Sequence, residues 1–231
     1  MDGRAEMGVT GVPEIDESTA LYIVGSDEVG YGAWAGPLTV CATIVSKDWP
    51  LAHLAKDSKA FKTEATREAA CKKIFGTLLY EIINVPPTEI DRLGVYKAVQ
   101  LAHREAIDKV LKKHHDTGCT GEILVVVDGN LPIPDAISLP KADTLVPAVS
   151  AASIIAKVWR DRHMRKMEAE YPGYDFAGSK GYGTPAHQQG LEKLGPCELH
   201  RKSYAPIAAL IEARQVRKDE PQAWELLPGD D

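Results

Sequence analysis

The segment that decides the fold spans residues 21–45 and reads LYIVGSDEVGYGAWAGPLTVCATIV. Its two ends, 21–24 and 37–45, are rich in β-branched and other apolar side chains, and glycines punctuate the part between them. Strands have this composition, and clustered glycines mark the turns that join them. The segment therefore predicts two strands joined by a glycine-rich connection.

An acidic pair, Asp27 and Glu28, falls at the end of the first predicted strand. Neighbouring side chains of a regular strand point to opposite faces, so the pair can serve one site only if the backbone leaves regular β geometry there. Gly30 and Gly32 would permit that departure. Paired carboxylates beside such a loop indicate a site for a hard cation. The alternative interpretation is an exposed acidic turn.

The length and composition favour one α/β domain. The chain has 231 residues, of which 44% are hydrophobic, and this is enough to fill a sizeable core. The net charge of −6 arises from two acidic ends, 1–20 and 219–231, which together carry ten acids and one base. The body, 21–218, carries 23 acids and 26 bases, so it is compatible with a polyanionic partner. We predict an acidic N-terminal extension, one domain over 21–218 and a disordered acidic tail.

The cysteines and the apolar runs argue against a secreted or membrane protein. The four cysteines lie far apart and form no C-x-x-C pair, which favours reduced thiols over disulfides or zinc ligands. The sequence shows no signal peptide and no apolar run of about eighteen residues. We therefore predict a cytoplasmic protein that does not associate with a membrane.

Apolar periodicity and cap residues predict alternating strands and helices along the rest of the chain. Strands are predicted over 80–85, 122–127 and 136–140, and helices over 63–79, 88–93, 96–115, 149–171 and 206–216, with a further helix beginning at Thr184 and Pro185. The helix over 149–171 has a basic face, interpreted either as a solvated surface or as a contact to a polyanion. This face consists of Lys157, Arg160, Arg162, Arg165 and Lys166.

Carboxylates recur at the ends of predicted strands. Asp128 closes the strand EILVVV, and Asp143 follows the next short strand. Carboxylates gathered at one end of a sheet repel one another unless cations lie between them, and two Mg²⁺ or Mn²⁺ ions about 4 Å apart are the arrangement that activates water in phosphodiester cleavage. Asp161 lies one helical turn from Lys157 and from Arg165, so we interpret it as a surface ion-pair residue. A nuclease-like site with Asp143 as its fourth acid is therefore predicted.

The residues that carry this site resemble those of ribonuclease HII from about 22 to 207. The resemblance rests on five ordered motifs, which are VGSDEVGYGAWAGP at 24–37, KDSK at 56–59, VVVDG at 125–129, KADTLVPAVSAASIIAKVWRDRHM at 141–164 and YPGYDFAGSKGYGTPAHQQGLEKLGPCELHRKSYAPI at 171–207. It implies a ribonuclease H-like fold, with a mixed five-stranded sheet flanked by helices and a helical C-terminal part. It also implies an endonuclease that hydrolyses the RNA strand of RNA·DNA hybrids and cuts at ribonucleotides embedded in duplex DNA.

By this resemblance, the catalytic residues are Asp27, Glu28, Asp128 and Asp143. They would hold two divalent ions, Mg²⁺ or Mn²⁺, which align the attacking water. Cleavage would leave a 3′-hydroxyl and a 5′-phosphate. The expected partners are RNA·DNA hybrids and ribonucleotide-containing DNA, and the expected state is a monomer.

The resemblance also implies contacts to nucleic acid. The backbone at Gly30 and Gly32 would approach the ribose and contact its 2′-hydroxyl, the group that distinguishes RNA from DNA. Tyr182 would stack against the sugar on the DNA side of the junction, with loop packing as the alternative. The remaining candidates are Tyr31, Ser58 and four possible phosphate contacts whose alternative is plain surface charge, namely Lys59, Lys180, Arg201 and Lys202.

Tyr31 departs from the family pattern, which has Gly-Arg-Gly where this chain has Gly30, Tyr31 and Gly32. The contacts to the 2′-hydroxyl need the glycines and not the side chain between them, so we expect ribonucleotide discrimination to survive. The loss of an arginine predicts weaker phosphate binding. A tyrosine that stacks on a sugar or base would recover part of that affinity.

Other functions on the same fold are open. The sequence GSDEVG at 25–30 is closer to the corresponding motif of the sister family, ribonuclease HIII. That family uses a glutamate where this chain has Asp143, and it carries an N-terminal substrate-binding domain for which the residues before the first strand leave no room. A structure-specific nuclease such as a junction resolvase is a second alternative. A catalytically silent nucleic-acid-binding relative is a third, which the presence of all four carboxylates disfavours.

Overall fold

A mixed five-stranded sheet with helices on both faces forms the body of the protein, and this confirms the predicted fold class. The computed structural model describes residues 20–56, 61 and 63–219. The strands are β1 (Tyr22–Val29), β2 (Leu38–Ser46), β3 (Leu79–Val85), β4 (Ile123–Asp128) and β5 (Ile137–Leu139). The helices are α1 (Ala52–Lys56), α2 (Glu64–Ile74), α3 (Pro87–Leu93), α4 (Val95–Asp116), α5 (Pro147–Glu170), α6 (Phe176–Ser179), α7 (Pro185–Leu194) and α8 (Ala205–Asp219).

The order of the strands explains how distant acids come together. The sheet has the order β3-β2-β1-β4-β5, in which β1 pairs antiparallel with β2 and parallel with β4, and β4 pairs parallel with β5. The C-terminal ends of parallel neighbours lie at the same edge of a sheet. This edge carries Asp27 and Glu28 of β1 and Asp128 of β4, and Asp143 follows β5 in a short 3₁₀ helix (Ala142–Thr144).

The two faces of β1 pack against different helices. Ile23 belongs to the core that the sheet forms with α5, and Val24 belongs to the core that it forms with α4. At Gly25 the backbones of β1 and α5 approach closely, because an added Cβ atom would lie only 2.1 Å from the backbone nitrogen of Val149 in α5. A glycine at this position therefore allows the backbone of α5 to lie directly on β1.

The C-terminal part forms a third core, as the predicted helical C-terminal region requires. Met164 and Met167 of α5 pack there with Phe176 of α6, Leu191 of α7 and Ile207 of α8. These contacts fix the last three helices to the end of α5. Helix α7 begins as the sequence predicts, with Thr184 as its cap and proline in its first turn.

The two acidic ends predicted from the sequence lie almost entirely outside the described residues. One residue of the predicted tail, Asp219, is the last residue of α8, so the helix extends to the start of that segment. The domain limits, the monomeric state and the cytoplasmic location stay predictions. Within the described part of the chain, no helix has the length and apolar character needed to cross a membrane.

Candidate active site

The acidic pair on β1 reaches the site from two faces of the strand. β1 keeps its regular pairing with β2 through Val29, so the predicted departure from β geometry is wrong. Asp27 faces α5, where it accepts a hydrogen bond from Ser153. Glu28 faces α4, where its Oε2 lies 3.2 Å from His103 Nε2. The two carboxylates meet at the edge of the sheet because both stand at the end of the strand.

Asp27 is a buried acid with other acids around it. Burial first, and then the charges of Glu28 and Asp128, raise the pKa of Asp27 to about 8, against the opposing hydrogen bonds from Ser153 and from the Glu28 backbone N–H. The N–H bond is 2.7 Å long. Ionised Asp27 is therefore unfavourable near neutral pH unless a positive charge compensates it.

Asp128 and Asp143 are adjacent at the same edge. The backbone N–H of Asp143 donates to Asp128 Oδ1 at 3.4 Å. Burial raises the pKa of Asp128, and the charges of Asp143 and Glu28 raise it further. Asp27 is also influenced by the charges of Glu28 and Asp128, so Asp128 interacts electrostatically with each of the other three predicted carboxylates.

Asp161 is an ion-pair residue, as predicted, but it is buried and does not lie on the surface. Its carboxylate lies 2.8 Å from Lys157 Nζ and 3.8 Å from Arg67 Nη1 of α2. Arg165, one of its predicted partners, pairs instead with two glutamates of α2. Arg162 contacts one of the same glutamates. Much of the basic face of α5 is therefore neutralised by α2.

A buried arginine of α5 holds the loop 30–37, here called the glycine-rich loop, which joins β1 to β2. Arg160 donates to the carbonyls of Pro37 at 2.8 Å and of Ala35 at 3.1 Å. It also donates to the carbonyl of Lys180 at 2.8 Å. Burial lowers the pKa of Arg160 to about 10, so the guanidinium stays charged at neutral pH. The arginine predicted to lie on a basic surface is thus an internal clamp.

A second buried arginine holds the same loop, and this corrects a predicted contact. Arg201 is fully buried. Its Nε and Nη2 donate to the carbonyl of Gly36 at 3.1 and 3.0 Å, and its Nη1 donates to the carbonyl of Tyr31 at 2.9 Å. Because these donors are used inside the protein, the predicted phosphate contact by Arg201 is wrong. The residue positions the loop.

The three residues at the start of the glycine-rich loop differ in their surroundings. Gly30 has a φ of 88°, and an added Cβ would lie 2.3 Å from Arg160 Nε. At Gly32 an added Cβ would have no atom within 4 Å. Tyr31 between them is 40% exposed, and burial and then nearby ionisable groups, Glu28 among them, raise its pKa. The loop therefore combines an open backbone position with a tyrosine near the acidic cluster.

Tyr182 belongs to the same structural unit as the glycine-rich loop. Its ring centroid lies 5.6 Å from the guanidinium carbon of Arg160. The preceding carbonyl, of Gly181, accepts the backbone N–H groups of Trp34 at 2.8 Å and of Ala35 at 3.1 Å. The glycines and the aromatic ring that the resemblance assigns to the substrate are therefore held in one fixed arrangement.

A buried histidine pair is hydrogen-bonded to the Tyr182 segment. His200 Nδ1 accepts the N–H of Cys197 at 2.9 Å, so its Nε2–H donates to His187 Nε2 at 3.1 Å. The Nδ1–H of His187 then donates to the carbonyl of Tyr182 at 2.9 Å. Both rings are neutral in this chain of bonds. Burial, with a smaller contribution from His187, lowers the pKa of His200 to about 4.

We expect this pair to destabilise the protein in acid. His200 has a folded-state pKa of about 4 against an ordinary value of 6.5, so the unfolded state binds more protons between these values. The contribution of neutral His200 to the free energy of unfolding is complete above the ordinary pKa of histidine. It is lost as the pH falls toward the folded-state pKa of His200, and the loss amounts in total to roughly 3 kcal/mol. Urea unfolding of wild type and of the His200→Gln variant at about pH 7 and about pH 5 isolates this contribution, because the raised pKa of Asp27 gives both proteins an opposite pH dependence over the same range. Between about pH 7 and about pH 5 the variant should lose less stability, or gain more, than wild type, and an equal change in the two proteins would contradict the prediction.

The lysines predicted to contact phosphates differ in how far their side chains are exposed to solvent. Lys202 is exposed. Lys180 is largely enclosed, because its ammonium group donates within its own turn and lies 3.8 Å from Glu64 Oε2. Ser58 and Lys59 lie outside the described residues. The structure therefore leaves Lys202 available for a phosphate and commits Lys180 to contacts inside the protein.

His103 is a polar residue at the site that the sequence interpretation missed, as it missed Ser153 beside Asp27. His103 lies on the apolar stripe of α4 and is fully buried, beside Val99 and Ala106 of the same core. It contacts Glu28. The available signal was a polar residue four positions after Val99, where the nearest other buried residues of the helix are apolar.

Comparison with known proteins agrees with the fold and the motifs. Residues 24–207 match the family described as Ribonuclease HII. The ribonuclease HII of Hyphomonas neptunium is 40% identical over 200 residues, which cover 82% of this chain and 96% of that protein. The crystal structure of the ribonuclease H2 from Pyrococcus horikoshii OT3 matches with a TM-score of 0.70 at 25% identity, covering 84% of this chain and 99% of that chain.

A more distant structure shares the fold alone. Bst-RNase HIII in complex with Mn²⁺ matches with a TM-score of 0.66 at 21% identity, covering 87% of this chain and 72% of that chain. The family match spans the sheet, its flanking helices and most of the C-terminal part. We conclude that the chain belongs to the ribonuclease HII family and is a ribonuclease H enzyme.

Proposed function

We propose that this enzyme hydrolyses the RNA strand of RNA·DNA hybrids and cuts at ribonucleotides embedded in duplex DNA. The observation that carries the proposal is the cluster of Asp27, Glu28, Asp128 and Asp143, whose charges act on one another at one edge of the sheet. The glycine-rich loop follows directly from the strand that bears two of these acids. A charged catalytic cluster and an open backbone for ribose recognition are thus neighbours.

We assign two divalent ions, Mg²⁺ or Mn²⁺, to the four carboxylates. Oxygen ligands suit hard cations, and a positive charge would relieve the repulsion that raises the pKa of Asp27 and of Asp128. Among the described residues, no three His, Cys, Asp or Glu side chains are grouped as the ligands of one ion. When bound, two such ions activate water and stabilise the leaving oxygen in phosphodiester cleavage.

Recognition of the ribose is assigned to the backbone of Gly30 and Gly32, where a contact to the 2′-hydroxyl distinguishes RNA from DNA. Gly32 leaves room for a ligand. The bonds from Arg160 and Arg201 hold the loop before substrate arrives. A preorganised loop reduces the entropy lost on binding, so these two arginines contribute to recognition without contacting the nucleic acid.

Tyr182 and Lys202 extend the surface toward the flanking DNA. Tyr182 is half-buried and would present its ring to the sugar on the DNA side of the junction. Lys202 is exposed, and its backbone N–H is fixed at 2.9 Å by Asp91 of α3. A cation at this position would contact a phosphate and set the register of the duplex.

The test is a cleavage assay in Mg²⁺ and in Mn²⁺ on three substrates. We expect cleavage of an RNA·DNA hybrid and of a DNA duplex that contains one ribonucleotide, and none of a DNA four-way junction. The matched control is the same duplex with the ribonucleotide replaced by its 2′-deoxy form. Cleavage of the junction alone would favour a resolvase, and binding without any cleavage would favour a silent relative.

The Tyr31→Arg variant tests the placement of the glycine-rich loop. An added arginine that faces the nucleic acid should release about one more counterion, so the salt slope of substrate binding should steepen by roughly 0.9. We expect the variant to cut embedded ribonucleotides more efficiently than wild type at low salt, with the difference closing as salt rises. Cleavage of a single-ribonucleotide duplex and of a long hybrid at two salt concentrations measures this. An unchanged slope and substrate preference would mean that position 31 does not face the nucleic acid.

A further inference from the structure

We propose that His103 is a positioning residue that holds Glu28 for metal binding. The proposal rests on the function proposed above, because it takes Glu28 to be a ligand of the divalent ions. Its basis is a buried chain of hydrogen bonds that runs from Ser26 through His103 to Glu28.

Both ring nitrogens of His103 are engaged. Nε2 lies 3.2 Å from Glu28 Oε2, and Nδ1 lies 2.8 Å from the hydroxyl oxygen of Ser26. His103 and Ser26 are each fully buried. The ring is therefore fixed between the strand and α4, and it cannot rotate without leaving a buried polar atom unpaired.

The direction of the chain follows from the serine. The Ser26 hydroxyl donates to the carbonyl of Cys41 at 3.1 Å, so its oxygen accepts the proton of His103 Nδ1. The ring consequently presents Nε2 to Glu28 Oε2 at 3.2 Å. The orientation of the histidine is thus set from the strand that carries the acid.

The geometry of β1 makes this arrangement possible. Ser26 and Glu28 are two positions apart, so both side chains point to the face that packs against α4. Glu28 is partly exposed, with 23% of its side chain accessible. Without an anchor, this long side chain would sample several rotamers. The bond to His103 holds one oxygen and leaves the carboxylate a second oxygen for an ion.

Packing alone does not account for His103. Its neighbours in the buried face of α4 are apolar, and burying a polar ring there costs free energy unless it is hydrogen-bonded. An apolar side chain would fill the same space without that cost. In metal sites, hydrogen bonds from behind the ligands fix ligand orientation, and their loss weakens metal affinity about 10- to 100-fold.

The test measures the binding of Mn²⁺ to the His103→Met variant by calorimetry. We expect its affinity for Mn²⁺ to fall about 10- to 100-fold. At saturating Mn²⁺, we expect kcat to recover and the KM for hybrid to stay at the wild-type value. The His103→Gln variant keeps a donor and should recover part of the affinity. A purely structural role would lower the melting temperature and leave the affinity for Mn²⁺ unchanged.

The matched control is His114→Met. His114 is a second buried histidine of α4, and its ring packs against Tyr22 at the start of β1, with the ring centroids 4.3 Å apart. The His114→Met substitution also replaces a buried histidine of α4 by methionine, but it does so near the start of β1 and not near the end that carries the acids. We expect this variant to bind Mn²⁺ like wild type.

A double-mutant cycle with Glu28→Gln isolates the pair. In that background, His103→Met should cause no further loss of Mn²⁺ affinity, and an equal further loss would overturn the proposal. A folded His103→Met protein with wild-type affinity would also overturn it. If that variant does not fold, Ser26→Ala decides, because removing the hydroxyl that orients the ring should weaken Mn²⁺ binding, and unchanged affinity refutes the chain.

The experiments distinguish a failure of the proposed function from a failure of the role proposed for His103. If the wild-type protein neither binds Mn²⁺ nor cleaves hybrid, the proposed function is wrong. If wild type does both and the His103 and Ser26 variants match it, only the positioning role of His103 is wrong.

Discussion

Asp128→Asn is expected to lower the rate of hybrid cleavage by roughly a thousandfold or more while the protein stays folded. Two unit charges about 4 Å apart near a protein surface interact by about 4 kcal/mol, and the charges on the proposed ions are larger. A loss of that size corresponds to about three powers of ten in rate. The amide keeps the shape of the side chain and removes its charge. Single-turnover cleavage at saturating Mg²⁺ measures the effect.

The same variant should not lose stability. Burial and the neighbouring acids raise the pKa of Asp128, so its ionised form opposes folding at neutral pH, and asparagine removes that cost. The metal-free melting temperature should therefore equal or exceed that of wild type. Millimolar Mn²⁺ should raise the melting temperature of wild type, because ions that bind only the native state stabilise it, and should raise that of the variant less.

Asp108→Asn is the control for removing one acid. Asp108 is an exposed residue of α4, and we expect its variant to cleave hybrid like wild type. The site assignment would be contradicted if Asp128→Asn lost its cooperative melting transition together with its activity. It would also be contradicted if cleavage by Asp128→Asn were unchanged.

Gly25→Ala is expected to cost about 3 kcal/mol or more of stability, at the upper end of the range for overpacked cores. The added Cβ would lie 2.1 Å from the nitrogen of Val149 and 2.2 Å from the carbonyl carbon of Ala148. Both atoms belong to the backbone of α5, so no change of rotamer can relieve the clash. In a protein of this size the melting temperature should fall by roughly 10 °C.

Gly32→Ala is the matched control for this substitution. Its added Cβ would meet no atom within 4 Å, so we expect an unchanged melting temperature. Because Gly32 is assigned to the ribose contact, the same variant should bind substrate more weakly. A wild-type melting temperature for Gly25→Ala would show that α5 does not lie on β1 as described.

The sequence by itself determined the fold class, the family and the strand-end positions of the acids. These features are local, since an apolar run that ends in an acid and a glycine indicates the end of a strand wherever it occurs. Asp27 and Asp128 both have this context, and strands that pair in parallel bring such ends to one edge. The caps at Thr63 and Thr184 were predicted for the same reason, because a cap depends on residues three positions away.

Only the tertiary structure decided which faces these residues use. Asp27 and Glu28 were expected to need an irregular strand, but a regular one suffices because a helix packs on each of its faces. The basic side of α5 illustrates the same limit, since its arginines look alike in sequence. Arg160 turns inward to a carbonyl 123 positions earlier in the chain, and Arg165 pairs with α2.

The polar residues of the interior were beyond the reach of local patterns. Arg201 and Asp161 were predicted to lie at the surface, and His103 was not noticed at all, yet all three are buried. A charged or polar side chain can be buried only where partners meet its hydrogen bonds. Those partners come from distant parts of the chain, such as the Gly36 carbonyl for Arg201 and Glu28 for His103. The composition of a helix therefore indicates that one side is polar, whereas the packing of its neighbours decides whether that side meets water, a loop or a catalytic acid.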